Sequence, residues 1–164
     1  MRKGDILLGD RGYANPNGVA HVVGAGGDVV VRLNRRALPL FDKEGKRLNA
    51  VHLARGLKPN QNLEWEAWVH TDSGKRVGGR LIIVRRSKQA TEYARKKLKQ
   101  QAGKQQKSVS AEAMEAAQYF FLWTTLPPSW SRTEVLELYR CRWQIELAFK
   151  RMKSIMGLGH LPKK

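Results

Sequence analysis

Apolar positions along the chain change their period repeatedly, and each change marks the edge of an element. The run Ile6-Leu7-Leu8, between Asp5 and Asp10, is short and continuous, as in a buried strand. Gly12 to Gly18 is rich in turn residues, Val19 to Val23 reads as helical, and Asp28 to Leu33 reads as a second strand. Strand, helix and strand in so short a span predict a parallel α/β unit.

From Asn34 to about Ser87 the pattern becomes β-like. Gly45 marks a turn, Leu63, Trp65, Ala67 and Val69 alternate with polar positions, and Leu81 to Val84 form another apolar run. Lys88 to Lys107 has helical propensity but is polar around most of its circumference, with Tyr93, Ala94 and Leu98 as its few apolar residues. Such a helix is expected to be solvated or to lie against a polyanion. Tyr119 to Thr125 is an aromatic and apolar run of strand length. Leu126-Pro127-Pro128 then breaks the chain, and Ser131-Arg132-Thr133-Glu134 fits a capping box. The helix it opens should run to Met156, ended by Gly157 and Gly159 with Pro162 beyond. The chain is thereby divided into residues 1–33 (strand, helix, strand), 34–118 (a β-rich insertion with a basic helical segment) and 119–164 (a last strand and a long helix that completes the core). No internal repeat is visible.

Composition adds a partner to this α/β outline. Thirty-one Lys and Arg against fourteen Asp and Glu leave a formal charge of +17 over 164 residues. Self-repulsion on that scale is costly without a polyanion, and nucleic acid is the leading one. Residues 80–107 hold ten Lys or Arg against Glu92 alone, a local charge of +9, which suits either a solvated face or a DNA-contacting surface. The apolar run near the amino end is three residues long, far below the ~18 of a membrane span, so the expected location is the cytoplasm, on the nucleoid, with no membrane partner. Cys141 is the only cysteine, so any metal would be held by oxygen or imidazole, and His21, His52, His70 and His160 show no paired ligand spacing.

Candidate chemistry gathers on the last helix. At ~100° per residue, Tyr139, Arg142, Glu146 and Lys153 fall within a stripe about 60° wide. Leu138, Ile145, Phe149, Met152 and Met156 form a neighbouring apolar stripe, expected to pack on the core. By themselves Arg142 and Glu146 are a routine i,i+4 pair worth a few tenths of a kcal/mol, and Asp10 before Gly12 is a common turn opening.

Together these residues say more. The pattern Y-x2-R-x3-E-x6-K, Tyr139, Arg142, Glu146 and Lys153 here, resembles the signature of insertion-sequence DDE transposases of the family numbered four, and all four positions match. Asp10-Arg11-Gly12-Tyr13 is similar to that family's second acidic motif, and the family likewise places a β-rich insertion between this Asp and its Glu. The resemblance covers almost the whole chain. It implies a partial ribonuclease-H-like fold, the later core strands plus the glutamate helix. It further implies metal-dependent cleavage and strand transfer of DNA, with Asp10 and Glu146 as catalytic ligands of two Mg²⁺ or Mn²⁺ ions. Tyr139, Arg142 and Lys153 would hold phosphates, as would Arg32, which resembles a basic residue after the family's second core strand. Trp143 has two readings, stacking on a displaced base or packing at the core edge.

The family takes three acidic residues, the first on a strand well upstream of the second. Only nine residues precede Asp10, and Asp5 sits ~16 Å away along an extended strand. The resemblance is therefore to the C-terminal part of such a transposase, lacking the first catalytic Asp: a truncated or split form with little or no transposition alone. Expected partners are double-stranded DNA at the element ends and target, and either a second copy or the missing N-terminal part. The alternative is a non-enzymatic basic DNA-binding protein, or an inhibitor of an intact transposase.

Overall fold

Val29, Val30 and Val31 are fully buried, and the strand they form has a neighbour on each side. The computed structural model describes residues 1–156. Its elements run β1 (Ile6–Gly9), α1 (Pro16–Gly24), β2 (Asp28–Arg32), α2 (Ala50–Ala54), β3 (Asn62–His70), β4 (Arg76–Arg85), α3 (Lys88–Lys104), α4 (Ala111–Ala116), β5 (Tyr119–Thr124) and α5 (Arg132–Ile155). This is the mixed α/β chain that the pattern predicts. The expected stop signals Gly157, Gly159 and Pro162, and His160 with them, lie outside the described residues.

The five strands make one sheet in the order β1-β2-β5-β4-β3. As expected of strand, helix and strand, β1 and β2 are parallel, with Gly9 beside Val31. The pairs β2 with β5, β5 with β4, and β4 with β3 are antiparallel. The segment 34–118 thus adds its two strands to the sheet that residues 1–33 begin and β5 joins. Two compact units result, Met1–Leu126 and a second from Pro127 onward that contains α5.

Within the first unit, α1 and α2 bring Val19, Val22, Val51 and Ala54 onto a core shared with Val29, Val31, Leu81, Ile83 and Trp123. Helix α1 starts three residues before its apolar period does, because Asn15 caps it by accepting the Gly18 N–H at 2.7 Å and Pro16 occupies a first-turn position. Strand β4 extends well before the apolar run at Leu81, since Val77 to Arg80 pair with β3. The buried Trp123 indole donates to the Ala67 carbonyl at 3.1 Å, so its one polar atom is satisfied.

Trp123 also explains a glycine. A Cβ at Gly79 would lie 2.5 Å from both the Trp123 ring and the Thr124 carbonyl oxygen, and neither atom belongs to a flexible chain end. Gly79→Ala is expected to destabilise the first unit by ~1–3 kcal/mol, the usual range for overpacking. Urea denaturation checks this, and an unchanged midpoint would contradict the packing described.

Candidate active site

Because β2 and β4 both run antiparallel to β5, they are parallel to each other, and β1 runs with them. Three carboxyl ends therefore share one edge of the sheet with the amino end of β5. Open α/β sheets bind ligands at such edges. Here the edge carries Asp10 and Arg11 after β1, Arg32 closing β2, Arg86 after β4, and Tyr119 and Phe120 opening β5. A cavity of about 350 Å³ lies against it, lined by Asp10, Arg11, Arg32, Arg35, Arg86 and Phe120 and bounded by Lys97 and Leu98 of α3 and Ala113 and Ala116 of α4.

Asp10 is held by its own turn. Its carboxylate accepts the Arg11 backbone N–H at 2.7 Å, and its carbonyl accepts the Tyr13 N–H at 3.0 Å. The residue before it must be small, since a Cβ on the buried Gly9 would come 2.7 Å from Val31 Cγ1. Tight β1–β2 contact thus sets where the carboxylate begins.

The cavity is strongly cationic. Partial burial holds the Arg11 guanidinium below its ordinary pKa, Arg32 and Arg35 add to this, and Asp10 opposes it. Arg86 is lowered chiefly by burial, then by Arg32 and Arg11. Arg32 and Arg86 both lie over the Phe120 ring, 5.5 and 5.4 Å from its centroid. Arg11 and Arg86 are the site residues that the sequence patterns alone did not single out. Their available signal was an arginine one or two residues after a strand end, once that end was known to face the cavity.

The basic segment 80–107 divides into two populations. Arg80 is buried and donates to the Leu126 carbonyl and to Glu64, Arg85 donates to the Leu57 carbonyl and Gln118, and Arg95 donates to the Met114 carbonyl. These three hold the fold together. The lysines of α3 are exposed, and no residue of that helix is buried.

In the second unit, the motif residues occupy one face of α5. Arg142 donates to Glu146 and lies over the Tyr139 ring, 5.2 Å from its centroid. Tyr139 is 6% exposed, Arg142 and Glu146 are half-buried, and Lys153 is exposed. The apolar stripe corrects an expectation: Leu138 is half-buried, but Ile145, Phe149, Met152 and Met156 are all exposed. A shared helical face shows which residues lie together and does not supply a surface to cover them. Trp143 is 54% exposed with the Lys150 ammonium 5.8 Å from its ring centroid, which removes the reading of it as core.

The carboxylate oxygens of Asp10 and Glu146 are of the hard type that Mg²⁺ or Mn²⁺ prefers. Among the described residues, however, no three His, Cys, Asp or Glu gather as metal ligands, and the groups around Asp10 are guanidiniums. The donors fit in kind and fall short in number.

Comparison with known proteins points the same way. The family described as "Transposase DDE domain" matches residues 1–164. The chain is 32% identical over 166 residues to the InsL transposase of insertion sequence element IS186A from Escherichia coli K12, covering 98% of this chain and 45% of that protein. The same figures hold for the transposase of IS421 from Escherichia coli. Identity to the transposase of IS231F from Bacillus thuringiensis subsp. israelensis is 23% over 176 residues, 98% of this chain and 37% of that one. The chain therefore spans about half the length, or less, of these relatives. No solved structure matches it.

The start of α5 gives a pH test of how the motif helix is anchored. Ser131 accepts the Glu134 N–H at 3.3 Å, and Glu134 accepts the Ser131 N–H at 2.7 Å. The Ser131 side chain first, and its backbone second, hold the Glu134 carboxyl below its ordinary pKa. A depressed carboxyl contributes stability above its unfolded pKa of ~4.3 and loses it as pH falls through the folded value. Wild type should accordingly be more stable than Glu134→Gln at neutral pH, and the gap should close on acidification below about pH 4. Thermal melts followed by helical circular dichroism check this; a gap that does not depend on pH would contradict it.

Proposed function

The chain belongs to the transposase DDE domain family, and from this we propose that it carries two of the three acidic positions of a site that cuts and rejoins DNA. The observation that carries the reading is Asp10 at the carboxyl end of β1, in a cavity whose other charged walls are cationic. A carboxylate among guanidiniums suits a site that takes a phosphodiester. In this reading β1 and β2 are later strands of a ribonuclease-H-like sheet, and Glu146 is supplied by the helix that follows it. Among the described residues, strand β1 has β2 alone beside it in the sheet. Its open edge takes a further strand bearing the third carboxylate, from a covalently linked segment or from another chain.

Asp10 and Glu146 are the ligands this chain offers to a pair of Mg²⁺ or Mn²⁺ ions. When bound, such ions make a strong oxygen nucleophile available at neutral pH and relieve charge on the phosphate. The chain's own residues do the positioning. Arg142 keeps Glu146 in place from four residues away and presents its planar fork to a phosphate. Tyr139 and Lys153 extend that phosphate-binding face, Arg32 binds backbone from the sheet side, and the exposed Trp143 ring stacks on an unpaired base. The substrate is double-stranded DNA, at element ends and target, on the nucleoid. A second reading, DNA binding without chemistry, is favoured by one observation: no three-carboxylate group forms among the described residues.

Purified chain with Mg²⁺ should bind duplex DNA and cleave it little or not at all. Complemented with the part of the IS421 relative that this chain does not match, it should cleave element-end DNA. In that assembly Asp10→Asn and Glu146→Gln should each lower cleavage by roughly two orders of magnitude or more, since even outer groups around metal ligands are worth 10–100-fold. Undiminished cleavage by either variant would remove that residue from the site. Specific cleavage by the chain alone would contradict the incomplete site.

A further inference from the structure

We propose that Arg11, Arg32 and Arg86 form a clamp for a backbone phosphate of DNA on the wall of the cavity that holds Asp10; only the choice of DNA as the polyanion rests on the transposase reading. The three guanidiniums come from three different strand ends at one edge of the sheet, and all line the same cavity. Arg32 and Arg86 are kept there by the Phe120 ring. A side chain already stacked in place loses less freedom when it binds, so the ring preorganises both. The Arg86 Nε donates to the Tyr119 carbonyl at 3.2 Å, and its two terminal nitrogens make no hydrogen bond among the described residues.

The lack of counter-ions is the stronger observation. Among the described residues Arg35, Arg55, Arg80 and Arg142 each form an ion pair with a glutamate, whereas Arg11, Arg32 and Arg86 form none. Against these three unpaired positive charges stands the carboxylate of Asp10, a balance of +2 among the four groups before Arg35 and Lys97 of the same lining are added. Burial first, and the mutual repulsion of neighbouring guanidiniums second, hold Arg11 and Arg86 below their ordinary pKa. An oxyanion placed among them relieves that repulsion and accepts several N–H donors at once. The carboxylate of Asp10 lowers the wall's hold on any anion without cancelling it, so charge by itself does not set a phosphodiester apart from a free phosphate. A backbone can also continue past the clamp, over the exposed Lys97 at the cavity rim towards Lys96 and Lys99 of α3.

The test uses the whole chain and a short fluorescent duplex of arbitrary sequence, with binding followed by anisotropy across a salt series. Each phosphate contact contributes about 0.9 to the slope of log K against log salt. Arg11→Ala, at a side chain that makes no hydrogen bond among the described residues, and Arg86→Ala should each lower the slope by about that amount. Arg86→Lys should keep most of it, which separates loss of contact from loss of folding. Exposed Lys46→Ala, in the turn after Phe41, serves as the control for charge alone. Equal effects of Lys46→Ala and Arg11→Ala would overturn the clamp. Displacement of the duplex by inorganic phosphate at matched ionic strength would overturn it too, by showing a site for the free ion. Asp10→Asn separates the two readings: it should leave duplex binding intact or strengthen it while removing cleavage in the complemented assembly. If Asp10→Asn cleaves normally and the Arg slopes fall, the transposase reading fails and the clamp stands. If Asp10→Asn is inactive and the Arg slopes do not move, the clamp alone fails.

Discussion

Insertion of β5 between β2 and β4 is the constraint on which the reactive edge depends. A strand antiparallel to both neighbours makes those neighbours parallel, and so brings the carboxyl ends of β2 and β4 together although many residues separate them in the chain. Arg32 and Arg86 can then flank Phe120, and β1, parallel to β2, delivers Asp10 to the same edge. The register is fixed at the other end of the sheet. Thr125 accepts the Val29 N–H at 2.9 Å and donates to Asp28 at 2.8 Å, which ties the exit of β5 to the entry of β2. Since a slip of one residue would turn every side chain of a strand to the opposite face, this anchoring decides which side chains reach the cavity.

That geometry concentrates charge where the fold gives it no relief. Basic residues inside the sheet have partners, as Arg80 does with Glu64 and the Leu126 carbonyl. At the open edge Arg32 and Arg86 both lie over Phe120, and Asp10 is the one carboxylate among the described residues that line the cavity. The same division runs through the basic segment that contains α3, where Arg80, Arg85 and Arg95 support the fold, Arg86 faces the cavity and the lysines face solvent. A formal charge of +17 is therefore neither uniform nor incidental. Among the described residues, arginines without an ion-pair partner gather at the edge that carries Asp10.

Much of this could be read from the chain before any coordinates. Each strand contains an apolar run that the hydrophobic period marks, although β4 begins five residues before its run at Leu81, and the capping box at Ser131 and Glu134 is formed as expected. Long-range order was not legible. Nothing in the apolar run of Tyr119 to Thr124 says that it enters the middle of the sheet, and the fate of Arg86 follows from that entry and not from its own surroundings in sequence. The apolar stripe of α5 misled for a related reason: period reports a face, and only the folded chain reports whether anything covers it. Asp10 and Arg32 could be placed at strand ends because strand ends are local features. Arg11 and Arg86 required knowledge of which ends meet.

In the proposed function Asp10 and Glu146 are ligands of the same metal ions. Iron(II)-generated hydroxyl radicals cut a protein backbone close to where the ion binds, so replacing Mg²⁺ by Fe²⁺ in the complemented, DNA-bound assembly maps the ligands directly. The account predicts backbone cuts near Asp10 and near Glu146, both suppressed by excess Mg²⁺ and both lost together in Asp10→Asn. Cuts near only one of them, or cuts near Glu146 that persist unchanged in Asp10→Asn, would contradict it.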